Sequence, residues 1–472
     1  MTRVISGGDG GGVLTDELVP LAAADAAPRT STVPGPRRLS GVVPVPLRRL
    51  PDEWPSSGSV RVAYLTQWFP PEPVNVPLWI AESLQRQGLQ MSVLTGVPNW
   101  PTGEVRDGYS AWRAVREDRS GLRVLRTPLY PSHSRSAVGR FANYATYALS
   151  SAALGTHLLR SADVALVYAS PATAATAAMI HKVPYVLLIQ DLWPDSIFAT
   201  GFLTEGSARR LAEASLTWFT DEAYRRAAHI AVISPSMRSR LIRRGVPADK
   251  VSVVYNWVDE TVMRPAEPDR QLRTRLGLTD AFVLMYAGNH GAAQALDVVL
   301  RAMNNLRDIS DIQLVLVGEG IEKRSLRLLA KQLRLSSVHF LDGVPQKQMA
   351  ALTASADLQL VSLADQDLFR LTMPSKVQSI LACAQPVLVC APGDAARVID
   401  TSGAGFTAPP GDATQLSKVI YRAYRTPRDR LREMGNAGHT YYQSTMSEAV
   451  NAGALASLLK TAARQRADVS TQ

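Results

Sequence analysis

From Val60 onward the chain alternates between two textures. Short apolar runs bounded by Gly, Pro or Asn give way to longer stretches whose apolar positions recur every three or four residues. The first texture predicts buried strands and the second amphipathic helices. Val60–Thr66 reads as a strand. The loop Gln67–Pro73 follows, Pro77–Leu84 has helical spacing and ends near Gly88, and Met91–Thr95 is the next strand. This is a β-α-β unit, the building block of a parallel sheet. Further strands are predicted at Arg123–Thr127, Val164–Tyr168, Tyr185–Gln190, His229–Ile233 and Val251–Tyr255. Helical patterns intervene at Val138–Arg160, Leu211–Ala227 and Met237–Arg244.

A second series opens at Phe282–Gly288 and continues with strands at Ile312–Val317, Val338–Leu341, Leu358–Val361, Val387–Val389 and Gly405–Thr407. Its helices are Ala295–Leu306, Ile321–Leu333, Gln346–Ser355, Ser375–Cys383 and Asp412–Tyr424, and the tail from Leu431 is mostly helical. Two such series predict two Rossmann-like α/β halves; one larger doubly wound sheet is the alternative. In open parallel sheets a ligand sits at the carboxyl ends of the strands, so facing halves would hold it in the gap between them. The expected division is residues 1–58 as a disordered Gly/Pro/Ala-rich tail, 59–258 as the first half and 259–278 as a connection. Residues 279–440 form the second half, and 441–472 a final helix.

Composition supports packed cores: of 472 residues, 46% are hydrophobic and 19% charged, enough for more than one domain. The formal charge of +10 fits an anionic partner such as a nucleotide sugar, a phospholipid surface, a lipid diphosphate or nucleic acid. Ordinary solvated charge is the competing reading. Cys383 and Cys390 show neither CxxC spacing nor a His cluster, so buried packing in a reducing cytoplasm is expected. Asp9, Asp16 and Glu17 among glycines do not read as a secretory leader. The most apolar stretch, Tyr144–Leu159, is interrupted by Thr146, Ser150, Ser151, Thr156 and His157. It suits an amphipathic or buried helix rather than a membrane span.

Chemistry is expected where strands hand over to helices. Gly288-Asn289-His290-Gly291 directly follows a strand, with Gln294 beyond it. Small residues there let backbone N–H groups approach a diphosphate at a helix start; a plain turn is the alternative. Gly318-Glu319-Gly320 and Gly343-Val344-Pro345 close the next two strands on the same rim. Met373-Pro374-Ser375-Lys376 opens an apolar helix, with Ser375 fitting an N-cap and Lys376 in the first turn. The helix dipole disfavours a cation there, which points to an anion nearby; a solvated lysine is the other reading. In the first half, Asp191-Leu192-Trp193-Pro194-Asp195 ends a strand. Asp191 there could bond sugar hydroxyls, while Asp195 could merely cap a helix. Asn99-Trp100-Pro101-Thr102-Gly103 is a polar aromatic loop suited to stacking on a sugar or touching an acceptor. Arg225, Arg226, Arg238, Arg240, Arg243 and Arg244 cluster late in that half. They form a basic face for an anionic membrane or, more simply, solvated surface. No zinc module, RNA-recognition motif or Walker loop is legible, and nucleic acid is not an expected partner.

These motifs run in an order that resembles glycosyltransferase family 4, of the GT-B fold. The likeness extends from Val60 to about Leu459. It is nearest the bacterial exopolysaccharide and O-antigen branch that includes N-acetyl-L-fucosamine transferases. Tyr64–Glu72, Leu94–Gly103, Ala169-Ser170-Pro171, Asp191–Asp195, Ile233-Ser234-Pro235 and Asn256–Asp259 carry it in the first half. Tyr286–Gly291 with Gln294, Val317–Gly320, Pro374–Lys376 and Pro409–Asp412 carry it in the second. The resemblance implies two facing Rossmann-like domains with the C-terminal helix crossing back to the first. It implies a UDP- or GDP-type sugar held by Gly288, Asn289, Gly291, Gln294, Gly318, Glu319, Gly343, Ser375 and Ser379. Lys376 and Asp191 are the expected catalytic residues, and Glu72, Asn99, Trp100 and Trp193 are expected to face the acceptor. Transfer would retain anomeric configuration, without metal or cofactor. The acceptor would be a glycan or lipid-linked molecule at the cytoplasmic membrane face.

The chain also departs from the pattern. Where the family usually carries two glutamates eight residues apart before the Pro-Val strand, this chain has Leu371 and Ser379. Asp365 or Asp367 could replace the first through a loop shift. A lysine usually follows the phosphate-loop glycine, and here it is Ala292; the usual small first-half loop reads Val74-Asn75-Val76-Pro77. Lys376 would then stabilise leaving-group charge alone. Three readings compete: an active retaining glycosyltransferase of polysaccharide or glycolipid assembly, a degenerate homologue partnering another glycosyltransferase, and a nucleic-acid-binding protein.

Overall fold

A computed structural model describes residues 58–119, 121–132, 137–195, 197 and 207–470. All but the last residue of the expected tail, 1–58, lies outside them. Two sheets organise the chain. The first holds β1 (Arg61–Leu65), β2 (Gln90–Gly96), β3 (Val115–Arg119), β4 (Leu122–Thr127), β5 (Val164–Ala169), β6 (Tyr185–Ile189), β7 (His229–Val232) and β8 (Val251–Val253). Their order is β3-β4-β2-β1-β5-β6-β7-β8, parallel throughout except for the antiparallel β3–β4 pair. The second holds β9 (Phe282–Ala287), β10 (Ile312–Val317), β11 (Val338–Leu341), β12 (Leu358–Ser362), β13 (Val387–Cys390) and β14 (Gly405–Ala408). It runs β11-β10-β9-β12-β13-β14 and is wholly parallel. In both sheets the order grows outward in two directions from the first strand, which opens a crevice at the carboxyl ends of the central strands. The single-sheet alternative is thereby overturned.

Strands buried on both faces read as unbroken apolar runs, and β5, Val-Ala-Leu-Val-Tyr-Ala, is buried at every position. One face of the first sheet is covered by α2 (Ala137–Leu154), α4 (Thr176–Ile180), α5 (Ser207–Arg226) and α6 (Pro235–Arg243), through Tyr147, Ala177, Ala223 and Leu241. The other face is covered by α1 (Val76–Arg86) and by α15 (Glu448–Ser470). Leu455 and Leu459 of α15 share a core with Leu84 and Val164. The last helix therefore crosses back to the first half, tied by Tyr255 N–H to Asn451 Oδ1 at 2.8 Å and by Arg86 to Glu448 at 2.6 Å. In the second half α8 (Leu296–Asn305), α9 (Lys323–Gln332) and α13 (Ala413–Tyr424) pack on one face, and α11 (Ser375–Ala382) and α12 (Asp394–Ser402) on the other. The short α7 (Arg270–Arg275) precedes β9, α10 (Met349–Ala354) precedes β12, and α14 (Arg428–Tyr441) leads towards α15.

The structure departs locally from the sequence reading. The helix expected over Val138–Arg160 breaks at Gly155, before α3 (Thr156–Ser161). A side chain at Gly155 would meet Ser151 O at 2.5 Å and Leu94 Cδ2 at 2.6 Å, so the chain turns where only glycine fits against β2. The edge strand β3 was not expected. Its sequence is Val-Arg-Glu-Asp-Arg, and only Glu117 is buried.

Candidate active site

A cleft of about 330 Å³ lies between the halves. Asn75, Val76 and Trp79 face it from the first half, with Asn256–Val258 at the connection. From the second half come Gly288, Asn289, Gly318, Glu319, Gly343, Ser375, Lys376 and Ser379. Eight sequence-predicted residues thus meet in one place.

The cleft floor is built by close approach. A Cβ on Gly318 would fall 1.9 Å from Gly288 O, so β9 and β10 can end side by side only with glycine there. Gly288 has φ +147°, and a Cβ on it would lie 2.2 Å from Lys376 Cε and 2.6 Å from Nζ. The lysine stem therefore lies across bare backbone. Its ammonium stands 4.9 Å from the Tyr286 ring centroid, within cation–π range. Tyr286 is itself held by its hydroxyl donating to Asn289 O at 2.6 Å. The cap position of α11 is Pro374, so Ser375 is the first helical residue rather than the expected N-cap. Beside the floor, Val344, Pro345, Met349 and Ile380 give an apolar wall, with Thr353 and Gln359 among its polar neighbours. A flat base fits such a wall. Glu319 is anchored by Lys323 at 2.7 Å, which also pairs with Asp342 at 2.8 Å.

The expected cradle of loop amides is corrected. Gly288 N–H donates to Val317 O at 2.9 Å and His290 N–H to Glu319 O at 2.7 Å. Gly291 N–H donates to Gln294 Oε1 at 3.0 Å. These amides are spent on the end of β10, on the loop after it and on Gln294. Gln294 is a buried brace, and neither it nor Gly291 lines the cleft. A 3-10 turn over Ala292–Gln294 then separates the loop from α8. His290 is fully buried, and both ring nitrogens lack hydrogen-bond partners. Burial, with Lys323 next, depresses its pKa to about 4, so it is neutral.

The substituted glutamate positions have distinct fates. Ser379 lines the cleft. Leu371 packs against the first half's core, and its carbonyl accepts from Ser234 Oγ at 2.5 Å. Asp365 and Asp367 do not replace it: they pair with Arg370 at 2.7 and 3.2 Å and stay off the cleft.

In the first half, Asp191 lies in the loop just after β6 and accepts from Ser170 Oγ at 3.0 Å. It is half-buried, and burial pushes its carboxyl up to about 6. It does not line the cleft. Its neighbour Gln190 exchanges side-chain bonds of 2.7 and 3.2 Å with Asn256, which does. The four expected acceptor contacts are buried scaffold instead. Glu72 is 3% exposed and accepts from the amides of Phe69, Asn99 and Trp100, each at 3.0 Å. Burial pushes its carboxyl up to about 7 against the pull of these amides and of Arg126. Asn99 bonds Val97 O and Asn143, Trp100 packs on Trp68 and Val74, and Trp193 lies 5.6 Å from Tyr144. Sequence reasoning missed Arg126, which is fully buried. It donates to Glu117 at 2.8 Å, Gly96 O at 3.2 Å and Pro70 O at 2.5 Å, fastening the rim loops. Its signal was alternation alone, which sets it on the strand face of Leu122 and Val124; Leu122–Thr127 carries both Arg123 and Arg126, and the sequence does not tell them apart.

The basic face is also largely consumed. Arg225 and Arg226 pair with Glu222, Arg240 and Arg244 pair with Asp195, and Arg238 donates to Val251 O and Ala248 O.

Two facing doubly wound sheets, a returning last helix and a cleft floored by a lysine define the GT-B class of transferases. The chain matches the family model "Glycosyl transferase 4-like domain" over residues 73–257 and "Glycosyl transferases group 1" over 281–426. It belongs to glycosyltransferase family 4. It is 29% identical over 311 residues to WcaI of Escherichia coli K12, named as a glycosyl transferase of colanic acid biosynthesis; the match covers 64% of this chain and 75% of that protein. It is 24% identical to WbjE of Pseudomonas aeruginosa, named as a glycosyltransferase, over 50% of this chain and 58% of that one. Among solved structures, Anabaena HepE in complex with UDP and glucose superposes with TM-score 0.61 at 17% identity, over 85% of this chain and 99% of that one. WaaG, a glycosyltransferase of lipopolysaccharide biosynthesis, superposes with TM-score 0.57 at 16% identity, over 85% and 99%.

Proposed function

We propose that this chain is an active retaining glycosyltransferase of cell-surface polysaccharide or glycolipid assembly. It moves a sugar from a nucleoside-diphosphate donor to a lipid-linked or glycan acceptor, without metal. The observation that carries this is Lys376, laid over Gly288 and the Tyr286 ring at the start of α11. As the bond to the anomeric carbon breaks, negative charge gathers on the leaving diphosphate. A fixed ammonium and the positive end of a helix stabilise that charge more than the ground state, and this lowers the barrier. Val344, Pro345 and Met349 hold the base, and the Ser379 hydroxyl takes a ribose hydroxyl. The acceptor hydroxyl attacks on the side from which the diphosphate departs and its proton passes to the departing phosphate oxygen, so the configuration is kept; Asp191, on the first-half rim beside Ser170, orients the acceptor. UDP is the first nucleotide to test, because HepE was solved with it.

Leu371, committed to the first half's core, favours a second reading: a non-catalytic partner of another glycosyltransferase. One experiment separates the two. The purified chain is incubated with UDP-, GDP- and dTDP-sugars, and nucleoside diphosphate release is followed. Slow release from one nucleotide class is the expected result. Neither release nor binding with any of them would assign the partner role.

A further inference from the structure

Groups carried on two halves react only when the halves stand at one spacing. That spacing is set where the halves touch beside the cleft, at the turn that enters α6. Ser234 is fully buried and caps α6, accepting from Met237 N–H at 3.1 Å. Its hydroxyl donates in turn to Leu371 O of the second half at 2.5 Å. Two residues on, Ser236 N–H donates to Asp394 Oδ2 at 2.7 Å, and Ser236 Oγ accepts from Arg397 at 2.6 Å. Asp394 is 1% exposed and also pairs with Arg397. A carboxylate of one half thus sits at the positive start of a helix of the other, where the dipole favours it. A buried charge tolerates only well-fixed partners, so this contact has one register.

The second half presents both of its partners as one plate. Gly393, at φ +78°, lies so close to Arg370 that a Cβ would fall 2.3 Å from the Arg370 carbonyl oxygen. Leu371 and Asp394, the next residue in each segment, are held together by that approach. Leu371 stands five residues before Lys376 on the way into α11. Gln378, two residues after the lysine, donates to Asn256 O at 2.8 Å. The lysine's segment is therefore tied on either side, once to the first half and once to the connection. In the first half, Ser234 follows β7, and β7 pairs with β6, the strand that leads to Asp191. The contact joins the rim loops next to Asp191 and Lys376.

We propose that Ser234, Ser236 and Asp394 form an interdomain latch that sets the Lys376 floor against the Asp191 rim. None of the three lines the cleft, so they are positioning residues; their purpose rests on the transferase reading. The test uses the full chain, with Asp394→Ala to release the latch and Asp394→Asn to keep an oxygen that accepts from Ser236 N–H. Three quantities are read: the radius of gyration of the ligand-free chain by X-ray scattering, affinity for UDP, GDP and dTDP, and diphosphate release from their sugars. Asp394→Ala should have a larger radius and roughly 10- to 100-fold slower release. Its diphosphate affinity should stay within about twofold of wild type, because the substitution lies away from the cleft. Asp394→Asn should recover most of the rate. If the alanine variant melts early, Arg397→Ala at its exposed position replaces it, and the same split is expected. An unchanged radius, an unchanged rate, affinity that falls as far as the rate, or an asparagine as slow as alanine overturns the proposal. Should no sugar nucleotide be turned over, the transferase reading fails separately, and the radius alone decides the latch.

Discussion

Replacing Gly288 with alanine puts a methyl group 2.2 Å from Lys376 Cε and 2.6 Å from Nζ. Neither distance is tolerable, but the obstructed atoms are the free end of a flexible chain. The lysine swings away and the fold survives. Alanine at φ +147° adds about 1 kcal/mol of backbone strain, read as a small loss of melting temperature. The larger effect is on the ligand: a charge-assisted contact to diphosphate is worth about 1.5–3 kcal/mol. Donor affinity should therefore fall roughly 10- to 150-fold. Calorimetric titration of the preferred nucleoside diphosphate into wild type, Gly288→Ala, Lys376→Met and the double variant measures this. Because the alanine acts through the lysine, its effect should nearly vanish in the Lys376→Met background. Unchanged affinity in Gly288→Ala, or losses that simply add, would refute the reasoning.

Three further outcomes follow from the geometry. Asp191→Asn should lower kcat by about 100-fold through a misplaced acceptor, with little change in donor affinity, while stabilising the free protein. Since burial raises the folded-state pKa from 3.8 to about 6, the folded state holds this proton more tightly. Stability is therefore lost as pH rises through that window, and asparagine should gain about 1–3 kcal/mol at neutral pH but nothing well below the window; thermal melts at both pH values check the sign. Glu72→Ala orphans three buried amides and should cost about 3 kcal/mol in urea unfolding without altering diphosphate affinity. Ser379→Glu restores a carboxylate in the cleft wall and should tighten ribonucleoside diphosphates by roughly tenfold. No gain there would place the ribose elsewhere.

Strands buried on both faces were the most legible part of the chain. β10 occupies the stretch its apolar run predicts, because nothing but a sheet interior suits such a run. β3 was hidden because an edge strand needs only one inward residue, and that residue is Glu117. The cleft residues were legible by a topological argument: loops after parallel strands share a rim, so Gly288, Gly318 and Gly343 had to be neighbours. What each loop does with its hydrogen bonds was not legible. Gln294 turns inward to satisfy Gly291, and Glu72 is consumed by three amides, although their spelling suits ligand contact. Buried charge is similarly misread: Arg126 and Glu117 look like surface until the fold places them together.

The central claim is that a nucleoside diphosphate lies in the interdomain cleft with its phosphates at Lys376. A crystal structure of the chain grown with the diphosphate that binds in titration tests it most directly. The account predicts density running from the Val344–Met349 wall to the Lys376 ammonium across Gly288. Nucleotide bound at another surface, or in the cleft with the ammonium turned away from its phosphates, would contradict it.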